Sequence, residues 1–265
     1  YGDSASLKLN KMAKAYTKQK ENFPTWLMKK DILAIWDDHD YGKNDGGGEY
    51  KLKQEAQELF LTFWDIPSDD IRRLREGIYF DTMKELDDMK IHIIGLDTRY
   101  FRSELKGPKS NYIDNVDKDA SVLGQAQWKW LANSLKKESD LIILLTSIQL
   151  LATEHRFEKW SNFSLERERL IGLIESSGKQ VVVISGDRHR GGIYKYNDVY
   201  ELTASSMNRP VKGIETDSLL IGETHYEENY GIISINTETS QIQLDLKDKN
   251  GGMLESVSIP FYSSE

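Results

Sequence analysis

The sequence predicts an α/β fold that gives way to antiparallel strands in its last third. Three observations carry that reading. Short apolar runs each empty into a polar loop, as strands covered on both faces do. Stretches with helical apolar spacing stand between those runs. Beyond residue 229 the pattern becomes apolar–polar alternation around a turn, the mark of an antiparallel pair.

In chain order, residues 5–22 are rich in helix formers. The apolar stretch 31–36 reads as a buried strand opening into Asp37-Asp38-His39-Asp40-Tyr41-Gly42-Lys43-Asn44-Asp45 and three glycines. Residues 50–65 read as a helix with Ala56, Leu59, Phe60 and Phe63 on one face. A strand over 91–96 ends in Asp97-Thr98-Arg99, and a helix follows over 124–138, with Trp128 and Trp130 expected against the sheet. The strand 141–145 ends in Thr146-Ser147-Ile148-Gln149, and the next helix spans 164–176. The strand 180–184 ends in Ser185-Gly186-Asp187-Arg188-His189. Residues 230–236 and 241–247 form a hairpin, with a third strand over 256–261. Without repeats or Pro/Ser-rich linkers, residues 1–265 are read as one domain.

Composition narrows the function. There are 43 acidic and 35 basic side chains, a formal charge of −8, which argues against a general nucleic-acid binder. No run of about 18 apolar residues is present, so no membrane span is expected. The absence of cysteine excludes disulfides, thiolate metal sites and a cysteine nucleophile.

The densest chemistry lies at the strand ends, where open α/β sheets bind ligands. If the strands lie side by side, Asp37, Asp38, His39, Asp40, Asp97, Arg99, Gln149, Asp187 and His189 share one rim. Such oxygen and imidazole donors suit hard or borderline cations. Four carboxylates, a histidine and an asparagine within residues 36–45 would repel one another unless cations relieve them. An EF-hand loop starting at Asp38 fails, because Lys43 stands where that loop needs glycine. Asp187 and His189, two apart beyond a strand, would point the same way in extended chain. His92 reads as a hydrogen-bonded strand residue, while His155 divides evenly between pocket lining and structure. For His225, among glutamates, pairing and ligation are not separated. Arg99 divides between anion binding and a salt bridge to Asp97.

Residues 35–45, the segment Leu96-Asp97-Thr98-Arg99-Tyr100-Phe101-Arg102 and Ser185-Gly186-Asp187-Arg188-His189 occur in an order and spacing that resembles the PhoD-like alkaline phosphatases, of the calcineurin-like metallophosphatase superfamily. The stretch from Glu154 to Trp160 and the Glu166-Arg167-Glu168-Arg169 helix also look like that family. The resemblance implies a sandwich of two sheets flanked by helices and two or more divalent or trivalent metal ions. Those ions would be Fe and Ca as in the family, with Mn or Zn as other fits. Tyr1-Gly2-Asp3 looks like the tail of the family's Gly-Asp-x-x-Tyr element, making Tyr1 a metal ligand. The family's earlier aspartates would precede it, so the domain is expected to lack its N-terminal strand or strands.

By the same resemblance Asp38 ligates a metal, with Asp37 as the alternative, and Asp187 and His189 are further ligands. His39 would contact phosphate and protonate the leaving group, Asn44 would contact substrate, and Arg99 would either contact substrate or support the residues that do. The implied reaction is attack of a metal-activated hydroxide on a small phosphate ester, monoester or diester, without a protein nucleophile. Export to the periplasm, cell surface or medium is implied as well. Two rivals stand beside this reading: a glycoside hydrolase using paired carboxylates of the acidic loop, and a non-catalytic module stabilised by bound ions.

Overall fold

The computed structural model describes residues 9–261, so Tyr1 lies outside the described residues. A seven-stranded mixed sheet is built from β1 (Phe80–Leu86), β2 (Met89–Gly95), β3 (Leu141–Leu145), β4 (Gln180–Ser185), β5 (Gly191–Tyr196), β6 (Val199–Ala204) and β7 (Leu220–His225). Their order is β1-β2-β3-β4-β6-β5-β7, with β2, β3, β4 and β6 parallel. A second, antiparallel sheet holds β8 (Asn229–Asn236), β9 (Gln241–Asp248) and β10 (Met253–Pro260).

Strand alternation decides what covers each face. Ile142, Leu144, Val181 and Val183 pack against Trp128 and Leu131 of α4 (Gly124–Ser134) and Leu170 and Ile174 of α5 (Ser164–Ser176). Leu141, Val182 and Leu202 face the other way, onto Ile242, Leu244 and Leu246 of the small sheet. The result is the expected α/β sandwich of two sheets with flanking helices and antiparallel C-terminal strands. A third cluster, with Trp36, Tyr41, Phe60 and Ile78 at its centre, joins α1 (Asn10–Glu21) and α3 (Lys53–Phe63).

One expected strand does not form. Residues 31–36 pair with no other segment, because β1 folds back on β2 and takes the sheet edge there. The stretch instead borders an open apolar groove of about 670 Å3, where Leu33 faces Ile93, Ile143 and Ile184 of the large sheet and Ile233 of β8. The strands β1, β5, β6 and β7 carried too little apolar periodicity to be read from sequence. No helix among the described residues is long and apolar enough to cross a membrane.

Candidate metal centre

Trp36 anchors the acidic segment from below. It is fully buried, edge-on to Tyr41 and Phe60, and its indole N–H donates to Asp97 Oδ1 at 2.8 Å. From that anchor the chain turns into one short helical turn, α2 (Asp38–Tyr41), with Asp37 at its N-cap. The turn must stop at Gly42, whose φ of +122° suits glycine and whose Cβ would lie 2.6 Å from the Tyr50 hydroxyl. Asp38 is buried, and its carboxylate accepts the backbone N–H groups of His39 at 2.7 Å and Asp45 at 3.0 Å.

Asp187 arrives from β4 on a tight three-residue turn closed by Arg188 N–H donating to Gly186 O at 2.8 Å. Its φ is +66°, the sterically costly hand of the γ-turn. His189 is also left-handed, at +54°. The Asp-x-His triplet is therefore a strained turn and not the extended pair expected. Strain of this kind, about 1–3 kcal/mol per residue, collects where a site over-determines the backbone.

The turn brings Asp187 to the first motif. Carboxylate oxygens of Asp37, Asp38 and Asp187 lie within 4.8 Å of one another. Burial pushes Asp187 well above the ordinary carboxylate range, and the charges of Asp37 and Asp38 push it further. Burial followed by the charge of Asp37 raises Asp38. Burial, then Asp37, lifts Asp40 to about 6. Ionised acids held this close need a cation, and an all-oxygen donor set of this size fits a divalent metal.

His189 lines the same cleft without joining the three-carboxylate cluster. Its Nδ1 sits 2.6 Å from the Arg209 carbonyl. A carbonyl only accepts, so Nδ1 carries the proton and Nε2 is the nitrogen with a lone pair for ligation. His39 and Asn44 line the cleft too.

Arg99, read as either a brace behind the site or a substrate contact, stands behind the acids. It is fully buried, and its guanidinium binds Asp37 through Nε at 3.1 Å and also through Nη2, and Glu158 through Nη1 at 2.6 Å. Burial would strip its proton, but Asp37 and Glu158 outweigh that and hold it charged. Arg99 thus braces Asp37 and is not exposed to a substrate. Arg102 completes the bracing through Glu158 at 2.9 Å. Asp97, also expected on the rim, is buried and accepts the backbone N–H groups of Ile78, Arg99 and Tyr100. Gln149 is buried as well, bonded to Thr203 and His155. His92 is the strand residue expected, 2.8 Å from Asp81. His225 stands opposite Gly191 on edge strand β7.

The cleft, of about 540 Å3, is also lined by the basic side chains Lys109, Arg188 and Arg190. Arg188 and Arg190 share a single carboxylate, Glu215, and the Arg188 guanidinium lies over the Phe157 ring at 4.1 Å. Sequence reasoning did not single out Glu158, Tyr112 or this basic wall. Only a contiguous motif announces itself in sequence, and these residues come from separate loops.

Comparison with known families returns a model described as PhoD-like phosphatase, matching residues 88–249. That stretch contains Asp187 and His189 but begins beyond Asp37 and Asp38. Among solved structures, one titled "Structure of PhoD" superposes with a TM-score of 0.63 at 17% identity. The alignment covers 85% of this chain and 51% of that one. GAP50, described as the anchor in the inner membrane complex of Plasmodium, superposes with a TM-score of 0.50 at 14% identity. It covers 71% of this chain and 56% of that one. The chain thus spans about half the length of the solved structures it resembles, and at these identities the likeness concerns the fold. No curated protein matches.

Proposed function

The chain belongs to the PhoD-like phosphatase family, and we propose that it hydrolyses phosphoric esters with metal ions held by Asp37, Asp38 and Asp187. One observation carries this reading: carboxylates from two segments 150 residues apart meet within 4.8 Å, at a mutual electrostatic cost. Bound cations would supply Lewis-acid activation of water and neutralise the phosphoryl oxygens. Iron and calcium are the ions the resemblance suggests, with Mn or Zn fitting the same donors.

The chain's own residues supply the geometry. Arg99 and the backbone N–H groups of His39 and Asp45 fix Asp37 and Asp38 before any cation arrives. His189 offers Nε2 from the strained turn, as a further ligand. His39, at the start of α2, faces the cleft as the proton donor to the departing alcohol. Asn44 is placed to hydrogen-bond the ester. No protein nucleophile is required. Tyr1 would add a ligand, and with it the site would hold two or more ions. Residues 1–265 would act as one metallophosphatase domain, exported as the resemblance implies.

The test is hydrolysis of p-nitrophenyl phosphate and of its bis ester by the full chain, with metal and after chelator dialysis. Chelation should abolish turnover, and Asp187→Asn should lower both bound metal and rate, the rate by at least about a hundredfold. His39→Ala should lower turnover about a hundredfold with metal retained. Chelator-insensitive hydrolysis overturns the metal reading. The likeness in fold to a protein described as an anchor favours a second reading, an ion-stabilised module without catalysis; stoichiometric metal with no hydrolysis of either ester would select it.

A further inference from the structure

The loop between Lys106 and Asp114 presents to the cleft a cation that the reaction described above does not use. Lys109 lines the cleft and is exposed. The two arginines that line the cleft have a carboxylate partner, and so do Arg99, Arg102 and Lys106 nearby. Arg99 holds Asp37 and Glu158, Arg102 holds Glu158, Arg188 and Arg190 share Glu215, and Lys106 pairs with Asp117 at 2.7 Å. Lys109 makes no ion pair or hydrogen bond among the described residues, although the cleft is rich in acids.

Its position is built and not merely flexible surface. Ile113 N–H donates to Lys106 O at 2.9 Å, closing the loop into a small bridge. Inside it, Asn111 N–H donates to Pro108 O at 2.9 Å, so residues 108–111 form a tight turn with Lys109 at its second position. The third position, Ser110, has a φ of +60°, where glycine or asparagine is usual. Tyr112 then pins the loop to the acidic segment, its hydroxyl donating to Asp45 Oδ2 at 2.7 Å. Its backbone N–H donates to Arg156 O at 2.8 Å, tying the loop to the segment that carries Phe157 and Glu158.

The cleft lining therefore carries both charges: Asp37, Asp38 and Asp187 share it with two guanidiniums that hold one carboxylate between them and with an unpaired ammonium. We propose that Lys109 binds a second anionic group on the alcohol side of the substrate, so that the site selects phosphate esters whose leaving group carries a carboxylate or a further phosphate. The proposal rests on the phosphoester reading of the cleft and sharpens it to a substrate class. An ammonium is a compact charge that takes either anion without a fixed fork geometry. A neutral alcohol gains nothing from it.

The experiment compares 3-phosphoglycerate with glycerol 3-phosphate, which differ by one carboxylate, on the metal-loaded full chain. The wild type should show about a tenfold lower KM for the former, and the gap should narrow with added salt. Lys109→Ala should raise the KM for 3-phosphoglycerate about tenfold, with its kcat and both constants for glycerol 3-phosphate within twofold. Lys109→Arg should restore the preference, and Tyr112→Phe, which unpins the loop but keeps the lysine, should lose about a threefold share of it. Calorimetric binding of the two compounds to wild type and Lys109→Ala separates the two readings. Preferential binding lost in Lys109→Ala without any hydrolysis supports the anion site and sinks the hydrolase. Hydrolysis with equal affinity for both compounds, unchanged in Lys109→Ala, sinks the anion site and leaves the hydrolase standing.

Discussion

The two walls of the cleft carry opposite charge and are held in opposite ways. The acidic wall is over-determined: Asp38 accepts two backbone N–H groups, Asp37 is gripped by a fully buried arginine, and Glu158 behind it is 1% exposed between two guanidiniums. The basic wall rests on loops, with Arg188 stacked on Phe157 and paired to a glutamate that keeps 18% of its side chain in water. The acids that would meet cations are immobilised in advance, at a cost in folding energy. Arg188 and Arg190 are buried too, but both lean on one carboxylate that water reaches. Preorganisation is concentrated where charge would change during reaction.

If that contrast is real, arginines on the two walls should differ in their structural worth. Arg99→Met in the metal-free chain leaves buried Glu158 with Arg102 alone and Asp37 without its cation, and should cost about 3 kcal/mol. Arg188→Met loses a partly hydrated pair and a ring contact, and should cost about 1 kcal/mol. Urea unfolding of the two variants measures both. Equal losses would break the comparison.

The walls also predict opposite responses to pH. Behind the basic wall, His155 is held neutral: burial first, then Arg188, Lys159 and Arg190, push it down to about 2 from 6.5. Its hydrogen bonds agree, since Nδ1 accepts from Phe157 N–H at 3.2 Å and Nε2 lies 3.0 Å from Gln149 Oε1. The unfolded chain takes up this proton as pH falls through about 6.5, and the folded chain does not. The stability from neutral His155 is thus present above that pH and lost below it. By pH 5 the loss should be about 1–2 kcal/mol after allowing for partial exposure. On the acidic wall Asp187 and Asp38 are raised, so without metal they favour the folded state as pH falls. Urea midpoints of wild type and His155→Gln at pH 7.5 and 5 isolate the histidine. An unchanged pH dependence in the variant would show that His155 carries none of it.

The acidic wall was legible in the sequence because Asp37, Asp38, His39 and Asn44 are contiguous and Asp187 follows a valine-rich strand. The parallel strands β2, β3 and β4 and the helices between them were legible for the same reason, since apolar spacing is a local signal. What sequence could not supply were contacts between loops. Anion binding and a salt bridge were equally open for Arg99, and the bridge to Glu158, from a distant loop, could not be read from sequence. Residues 31–36 have a strand's composition, yet the place beside β2 is taken by β1. The strands β5 and β7 depend on pairing partners for their shape more than on their own alternation.

Strain separates the walls one last time. On the acidic side the left-handed backbone falls on Asp45, Asp187 and His189, residue types that tolerate it comparatively well. Across the cleft it falls on Ser110, at +60°, which tolerates it less. Ser110→Gly should recover most of a left-handed penalty of about 1–2 kcal/mol. Part of that returns as unfolded-chain entropy, roughly 0.4–1 kcal/mol, leaving a net gain of about 0.5 kcal/mol. The same glycine frees the turn that aims Lys109, so the KM for 3-phosphoglycerate should rise about twofold while that for glycerol 3-phosphate holds. A more stable variant with a weaker grip on the anionic substrate would show strain being spent on position. Lost stability would mean that the serine side chain supports the turn, and the contrast between the walls would then rest on charge alone.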